Sequence, residues 1–169
     1  SLKIPIRIID TFNNKNQNRK LKAVVTAGPT QEFLDPVRFI TNKSSGKQGF
    51  AIAESLRNNG FDTTLITGPT HLKDIQDIKM IKINTAKEML NATLLNLPVD
   101  VAIFSAAVAD FKTSNVEKYK IKKEKNLNLT LEKNIDILSH ISKHNSLRPK
   151  LVIGFAAETN NLEKNSKKK

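Results

Sequence analysis

Residues 41 to 49, Thr-Asn-Lys-Ser-Ser-Gly-Lys-Gln-Gly, place two serines, two glycines and Lys47 where an apolar helical pattern begins. Residues of these types at a helix start can hold an anion. The first turn leaves backbone N–H groups free, and serine hydroxyls and the positive end of the helix dipole stand beside them. A Walker A loop needs G-x-x-x-x-G-K-S/T. Gln48 stands at its hydroxyl position and Thr41 at its first glycine, so that loop is excluded. The dinucleotide fingerprint G-x-G-x-x-G fails as well, because Gly28 is followed by Pro29 and Thr30. What remains is Gly46-x-x-Gly49 behind Ser44 and Ser45. An ordinary serine N-cap fits the same residues, and cap and cradle are compatible.

Three other groups carry candidate chemistry. Lys118, Lys120 and Lys122 alternate, with Lys123 beside them. Alternation of this kind describes a solvated strand face as readily as a polyanion site. Asp110 ends an apolar strand pattern, where an aspartate serves as a turn residue or as a ligand contact. His140 and His144 stand at i, i+4 on a predicted helix, a spacing that can hold a metal. No Glu follows the first His and no third ligand is evident, so the reading is two surface histidines and no metal site.

The elements that must position these residues follow from periodicity. The runs at 21–27 (LKAVVTA), 62–68 (DTTLITG), 99–110 (VDVAIFSAAVAD) and 150–158 (KLVIGFAAE) read as strands. A helix is expected from about Gly46 to Asn59, with Phe50, Ala53 and Leu56 on one face and Gly60 at its stop. A second helix starts at a capping box, Thr85 followed three residues on by Glu88. A short third helix is expected in NIDILSHISK, and LNLTLE reads as a half-exposed strand, an antiparallel partner to the KYKIKK region. The stretch from Pro29 to Ser45, with two prolines, reads as irregular. The N-terminal IPIRII is a candidate strand ahead of a polar linker. Strands alternating with helices imply a mostly parallel sheet in right-handed βαβ units. Three strand ends carry small or polar residues, at Thr26-Ala27-Gly28, Ser105-Ala106-Ala107 and Gly154-Phe155-Ala156. In open α/β sheets such carboxyl ends bind ligands.

Bulk properties narrow the class. A chain of 169 residues with 38% apolar content fits one soluble domain with a proper core. No run is apolar enough to span a membrane and no signal peptide is evident, so a cytoplasmic location is the expectation. Without cysteine, disulfides and thiolate metal sites are excluded. The chain starts at Ser1, the mark of a processed chain or a fragment. A net charge of +12 invites a nucleic-acid reading, but aromatics are only 5% with no Trp, which leaves no base-stacking platform. Small polyanions fit this charge better than nucleic acid.

In order, TAGPTQEFLDPVRFITNKSSGKQGFAIA, FSAAVADF, KIKK and GFAAETN together resemble the phosphopantothenoylcysteine synthetase family of coenzyme A biosynthesis, in its bacterial form, from about Leu21 to Asn161. The resemblance implies a modified Rossmann-like fold, a homodimer, and a ligase joining 4'-phosphopantothenate to L-cysteine. CTP and Mg2+ are the implied co-substrate and cation, with an acyl-cytidylate intermediate and release of CMP and pyrophosphate. In many bacteria a flavin-dependent decarboxylase precedes this domain, so FMN is expected only if such a domain lies upstream. Carried onto this sequence, Lys120 matches the essential triphosphate-side lysine, and Asp110 a CTP-binding aspartate. Ala106 and Phe155 match positions lining the nucleotide pocket. Asn42 matches the residue that turns over the intermediate, a neutral amide suited to a developing oxyanion, though it could equally be a turn residue. Arg38 is a guide for the substrate phosphate. Ser44, Ser45 and Gly46 become a non-Walker nucleotide cradle.

The expected division is an N-terminal extension or linker at 1–20 and the synthetase domain at 21–169, C-terminally incomplete. The family continues past GFAAETN with a helix, a strand and a further CTP-binding lysine that this chain lacks. The fold reading survives this; turnover by the chain as it stands does not follow. Rival readings are a truncated or non-catalytic nucleotide-binding homologue, a basic nucleic-acid binder, and a Rossmann oxidoreductase, the last disfavoured by the missing glycine fingerprint.

Overall fold

A computed structural model of the chain describes residues 19–123 and 127–155. The strand expected in IPIRII, most of the linker after it and Ala156 lie outside the described residues. In chain order the elements are β1 (Lys22–Ala27), β2 (Gln31–Phe33), β3 (Phe39–Thr41), α1 (Lys47–Asn58), β4 (Asp62–Thr67), β5 (Lys79–Lys82), α2 (Ala86–Leu95), β6 (Val101–Phe104), β7 (Phe111–Thr113), β8 (Leu131–Lys133), α3 (Ile137–Ser142) and β9 (Leu151–Gly154).

Five strands form one sheet in the order β5-β4-β1-β6-β9, and every pairing in it is parallel. The chain runs outward from β1 to β5 and then returns to the other side of β1 with β6. Between β1 and β6 the winding reverses, which makes their carboxyl ends the switch point of a Rossmann-like sheet. Side chains alternate across it. Ala23, Val25, Ala27, Leu65, Val101 and Ile103 pack against Phe50, Ala53 and Leu56 of α1. Val24, Ile66, Ala102 and Phe104 face Met89 of α2 and Ile137 and Ile141 of α3. Burial on both faces is why β1 reads as a continuous apolar run. Burying each large side chain such as Leu56 or Met89 contributes about 1.5–3 kcal/mol.

The helix signals act locally. α1 ends ahead of Gly60, whose φ of 85° lies in the left-handed region. The Thr85 side chain accepts from the Glu88 N–H, and Glu88 accepts in return from the Asn84 N–H at 2.8 Å, one residue earlier than a standard capping box. Buried Glu32 of β2 adds a second acceptor at that helix start, for the Ala86 N–H at 2.9 Å.

Three expectations are corrected and one strand is added. The stretch read as irregular contains an antiparallel hairpin, Gln31–Phe33 against Phe39–Thr41. The four-residue edge strand β5, with a lysine at each end, was absent from the sequence reading. The strand expected through Asp110 stops at Phe104; Ser105 still bonds to Thr26 of β1, and Ala107 then bonds to Gly28 in the loop after it. β8 pairs with β7, not with the lysine segment, and Lys118, Tyr119 and Lys120 are all exposed instead of alternating.

At the opposite end of the sheet, Asp100 gathers the starts of three strands. Its carboxylate, 3% exposed, accepts from both terminal nitrogens of Arg19 at 2.6 and 2.8 Å and from the Lys22 N–H at 2.9 Å. Lys150 stands 3.8 Å away, and the Asp100 carbonyl accepts from the Leu151 N–H. Burial would raise this carboxyl's pKa, but the Arg19 and Lys22 hydrogen bonds and the charges of Arg19 and Lys150 together hold it below the ordinary value. A depressed folded-state pKa contributes stability that is complete above the unfolded value of about 3.9 and is lost as pH falls through the folded one. Asp100→Asn is therefore expected to lower stability at neutral pH by about 1.5–3 kcal/mol. The difference from the parent should shrink in urea melts run below about pH 4.

Candidate functional site

The switch point is built by lacing two loops together. Beyond β1 and β6 the Ala107 N–H donates to Gly28 O at 2.9 Å, and the Thr30 N–H to Ala107 O at 3.3 Å. Buried Thr30 accepts the Ala109 N–H on its hydroxyl at 2.9 Å, and the Ser105 hydroxyl donates to Thr26 O at 2.7 Å. These bonds continue the β1–β6 ladder past the last strand residues and fix residues 105 to 109 in place.

α1 begins against this platform. Its N-cap is Gly46, with φ 74° and no side-chain cap, so the serine-cap alternative is set aside. Ser44 instead accepts the Gly46 N–H at 3.3 Å. A Cβ on Gly46 would lie 2.7 Å from Thr70 Cγ2. One on Gly49 would lie 2.5 Å from Ala27 Cβ and 2.6 Å from Ser105 Oγ. Gly49 thus lets the first turn settle onto the strand ends. An uncapped helix start at the switch point of a parallel sheet is the geometry that receives an anion. A cavity of about 280 Å³ opens beside it at the ends of β4 and β5, lined by Phe50, Gly68, Thr70, Lys82 and Asn84.

Asn42 joins this group. Its Nδ2 donates to the Val108 carbonyl at 2.8 Å, which fixes the amide's orientation and leaves its second hydrogen for another acceptor. Ala106 lies in the same loop, half-buried, and its N–H reaches the Thr26 hydroxyl at 3.4 Å. Asp110 follows, exposed, in the loop between β6 and β7. Its carbonyl accepts from the Asn134 N–H at 2.7 Å, while Asn134 Nδ2 donates to Ala109 O at 3.0 Å. Asn134, absent from the sequence reading, therefore fixes the backbone that presents Asp110. Phe155 comes directly after β9, where Gly154 is paired with Phe104, so it shares the carboxyl edge with Ala106. Ala106, Asp110 and Phe155 all fall on the β6–β9 side of β1.

Arg38 and Lys120 form a second group at the tip of the β2–β3 hairpin. Arg38 Nη1 donates to Asp35 Oδ2 and to Ile121 O, each at 3.2 Å. Lys120, beside Ile121, is exposed and lines a cavity of about 460 Å³ with Leu34, Thr113, Tyr119 and Leu129. Among the described residues no hydrogen bond or ion pair joins Arg38 or Lys120 to the cradle. Arg38 and Asn42 flank β3, about 13 Å apart along an extended strand. Their even spacing puts them on one side of it. Burial would raise the pKa of Asp35, but the N–H groups of Val37, Ile121 and Arg38 and the Arg38 charge hold it below the ordinary value.

The histidines do not form a pair on one helix. α3 ends at Ser142, and His144 Nδ1 accepts the Leu147 N–H at 3.1 Å in the turn beyond it.

Residues 18–169 match the family described as the DNA/pantothenate metabolism flavoprotein C-terminal domain. The chain belongs to that family. Among curated relatives, the coenzyme A biosynthesis bifunctional protein CoaBC of Borreliella burgdorferi is 42% identical over 166 residues, covering 96% of this chain and 42% of the relative. The CoaBC of Escherichia coli K12 is 40% identical over 176 residues, covering 98% of this chain and 43% of the relative. The chain thus spans about two fifths of the length of these relatives. A crystal structure of the C-terminal domain of CoaBC superposes with a TM-score of 0.73 at 40% identity, covering 88% of this chain and 70% of that one. The Streptococcus pneumoniae DNA/pantothenate metabolism flavoprotein gives 0.66 at 28% identity, covering 78% and 67%. The Rossmann-like fold of this DNA/pantothenate metabolism flavoprotein C-terminal domain is therefore that of the CoaBC C-terminal domain, as the resemblance implied. Among its described residues, no helix is long and apolar enough to cross a membrane.

Proposed function

We propose that this domain joins 4'-phosphopantothenate to L-cysteine at the expense of CTP, within coenzyme A biosynthesis in the cytoplasm. The observation that carries the reading is the uncapped start of α1 at the switch point, with the Asn42 amide fixed beside it. Relatives named for coenzyme A biosynthesis supply the chemical class.

In the first step a substrate carboxylate oxygen attacks the α-phosphorus of CTP and the bond to pyrophosphate breaks, giving the acyl-cytidylate. Two anions must meet, so the Ser44-Ser45-Gly46 cradle and Lys120 offset the charge that builds on the phosphates. In the second step the cysteine amine attacks the acyl carbonyl, the free Asn42 N–H receives the oxyanion, the amine gives up a proton to solvent, and CMP leaves with the electron pair of the cleaved bond. Arg38, at the far end of β3, holds the substrate phosphate away from the reacting carboxyl. Mg2+, entering with the nucleotide, would offset phosphate charge, with Asp110 the carboxylate placed to hold it. The donor set fits a cation carried in by the nucleotide: Asp110 is a single exposed carboxylate, and the described residues hold no cluster of three metal-ligating side chains.

A homodimer agrees with exposed apolar side chains at the β7–β8 ribbon, Phe111 of β7 and Leu131 of β8, with Leu129 just ahead of β8. The relatives' bifunctional names agree with fusion to a second domain, and FMN would enter only if that domain is a flavin-dependent decarboxylase.

The test is CTP-dependent pyrophosphate release with phosphopantothenate, with and without cysteine. Release stimulated by both substrates is the expected result; binding of CTP with no release in any length of the protein would favour a non-catalytic homologue. Base choice is a separate expectation. Calorimetric titration should give tighter binding of CTP than of ATP or GTP, through the pocket of Ala106, Asp110 and Phe155. Equal affinities would overturn that assignment. Binding of polynucleotides alone, with steep salt dependence, would favour the basic nucleic-acid reading.

A further inference from the structure

Asp35 is fully buried, and the backbone N–H groups of its own turn use only one of its oxygens. Oδ1 accepts the N–H groups of Val37 and Arg38 at 2.7 and 2.8 Å, which by itself shapes the Asp-Pro turn between β2 and β3. Oδ2 is aimed elsewhere. It accepts the Ile121 N–H at 3.1 Å, from a residue 86 positions away, and Arg38 Nη1 at 3.2 Å. The same Arg38 nitrogen donates to Ile121 O, so both backbone polar groups of Ile121 are held by one carboxylate–guanidinium pair. A further bond, Glu117 N–H to Leu34 O at 2.9 Å, ties the segment to the hairpin four residues earlier. Residues 114 to 123 form neither helix nor strand, and Lys120 lies between these two anchors.

We propose that Asp35 is a positioning residue that holds the lysine segment through Ile121, so that Lys120 presents its ammonium to the triphosphate while Arg38 is fixed for the other substrate. This rests on the roles given above to Lys120 and Arg38. Asp35 touches no substrate; it sets where two cations on different parts of the chain stand relative to each other. A merely structural carboxylate would need Oδ1 and the turn. The second oxygen, with Arg38, anchors the one residue next to Lys120.

The variant that separates the two uses is Asp35→Asn. Its amide oxygen can keep the place of Oδ1 and preserve the turn, but its NH2 then faces two donors, Ile121 N–H and Arg38 Nη1. Three measurements on the protein decide the matter. Hydrogen exchange in peptides covering residues 117 to 123 should quicken, while exchange in β1 and α1 stays parental. CTP affinity should fall about tenfold, and pyrophosphate release by up to about 10²-fold, the scale of a misplacement near 1 Å. In the Lys120→Gln background, Asp35→Asn should change CTP affinity no further, because the two residues act as a unit.

Parental exchange in the segment, or additive effects in the double variant, would overturn the proposal and leave the proposed function standing. If Lys120→Gln alone bound CTP and released pyrophosphate as the parent does, the role given to Lys120 would fail first, and the positioning role with it. Should Asp35→Asn fail to fold, Ile121→Pro removes the N–H that Oδ2 accepts and leaves the turn's own residues unchanged. Tyr119→Pro, which adds a proline ring to the segment but keeps the Ile121 N–H, controls for the ring's own restriction of the chain. Ile121→Pro must reproduce the quickened exchange and weakened CTP binding, and Tyr119→Pro must do so less.

Discussion

Lys120→Gln should fold as the parent does and fail at the first half-reaction. The side chain is exposed and makes no hydrogen bond or ion pair among the described residues, so its loss removes no native contact and the melting temperature should stay within the parental range. Its charge matters when triphosphate and carboxylate approach. Charge on the bridging oxygen grows as the bond to pyrophosphate breaks, and a cation that strengthens its contact at that moment acts on kcat more than on binding. Losing one such stabilising group typically costs about 10²–10³ in rate. Pyrophosphate release under saturating CTP should fall by that factor, with the CTP dissociation constant raised much less. Arg at this position should recover part of the loss, since it keeps the charge but not the compact ammonium. Release at the parental rate would mean that Lys120 is a solvated surface lysine and that the triphosphate lies against other cations.

Lys120 also shows why part of the site was legible and part was not. Residue type and family resemblance singled it out, but its neighbourhood came out wrong. Alternating lysines read as a strand, whereas the segment is held by a carboxylate in a distant turn, and a hydrogen bond across 86 positions leaves no local periodicity. Asp35, followed by Pro36, carries no local mark of the second use that its burial against Ile121 gives it. Asn134 escaped for the same reason, since its partners, Ala109 and Asp110, lie on another part of the chain.

The sheet was readable where local signals and tertiary demands agree. β1, β4, β9 and the three helices announce themselves through apolar periodicity, a capping box or a stop glycine, and each sits close to where those signals put it. The β2–β3 hairpin did not, because strands of three residues on either side of Pro36 carry too short a pattern. Its stability comes from the Asp35 turn and from the Thr41 hydroxyl bonded to Thr30 O at 2.7 Å. β5 was hidden because an edge strand bounded by lysines has no buried run to reveal it. Gly49 was read as part of an anion loop, and its closest constraint is packing: Ala27 and Ser105 leave no room for a side chain. The cradle reading and this packing reading support each other, because the close approach is what brings the helix start to the strand ends.

Asn42→Asp should separate activation from amide formation. The carboxamide is fixed by the bond from Nδ2 to Val108 O, so its second N–H has one direction available, and a preorganised donor needs no rearrangement as an oxyanion forms. Aspartate at this site removes that donor and adds negative charge where the oxyanion would develop. Loss of such a donor costs about 10²–10³ in rate, so the acyl-cytidylate should accumulate and be recovered from acid-quenched reactions. Burst-phase pyrophosphate release should stay near the parental amplitude. Aspartate also sets a carboxylate against the Val108 carbonyl, which can shift the loop carrying Ala106 and Asp110. Asn42→Ala controls for this, because it removes the same donor without adding the repulsion. Intermediate trapped in both variants, with CTP affinity near parental in Asn42→Ala, assigns the amide to the second half-reaction. Completion at the parental rate in Asn42→Ala would make Asn42 a residue that only ties β3 to the Val108 loop. Loss of CTP binding in Asn42→Ala would instead make the amide part of the nucleotide cradle, with the oxyanion served by backbone N–H groups of the same loop. The fixed amide and its spare N–H favour the trapped intermediate.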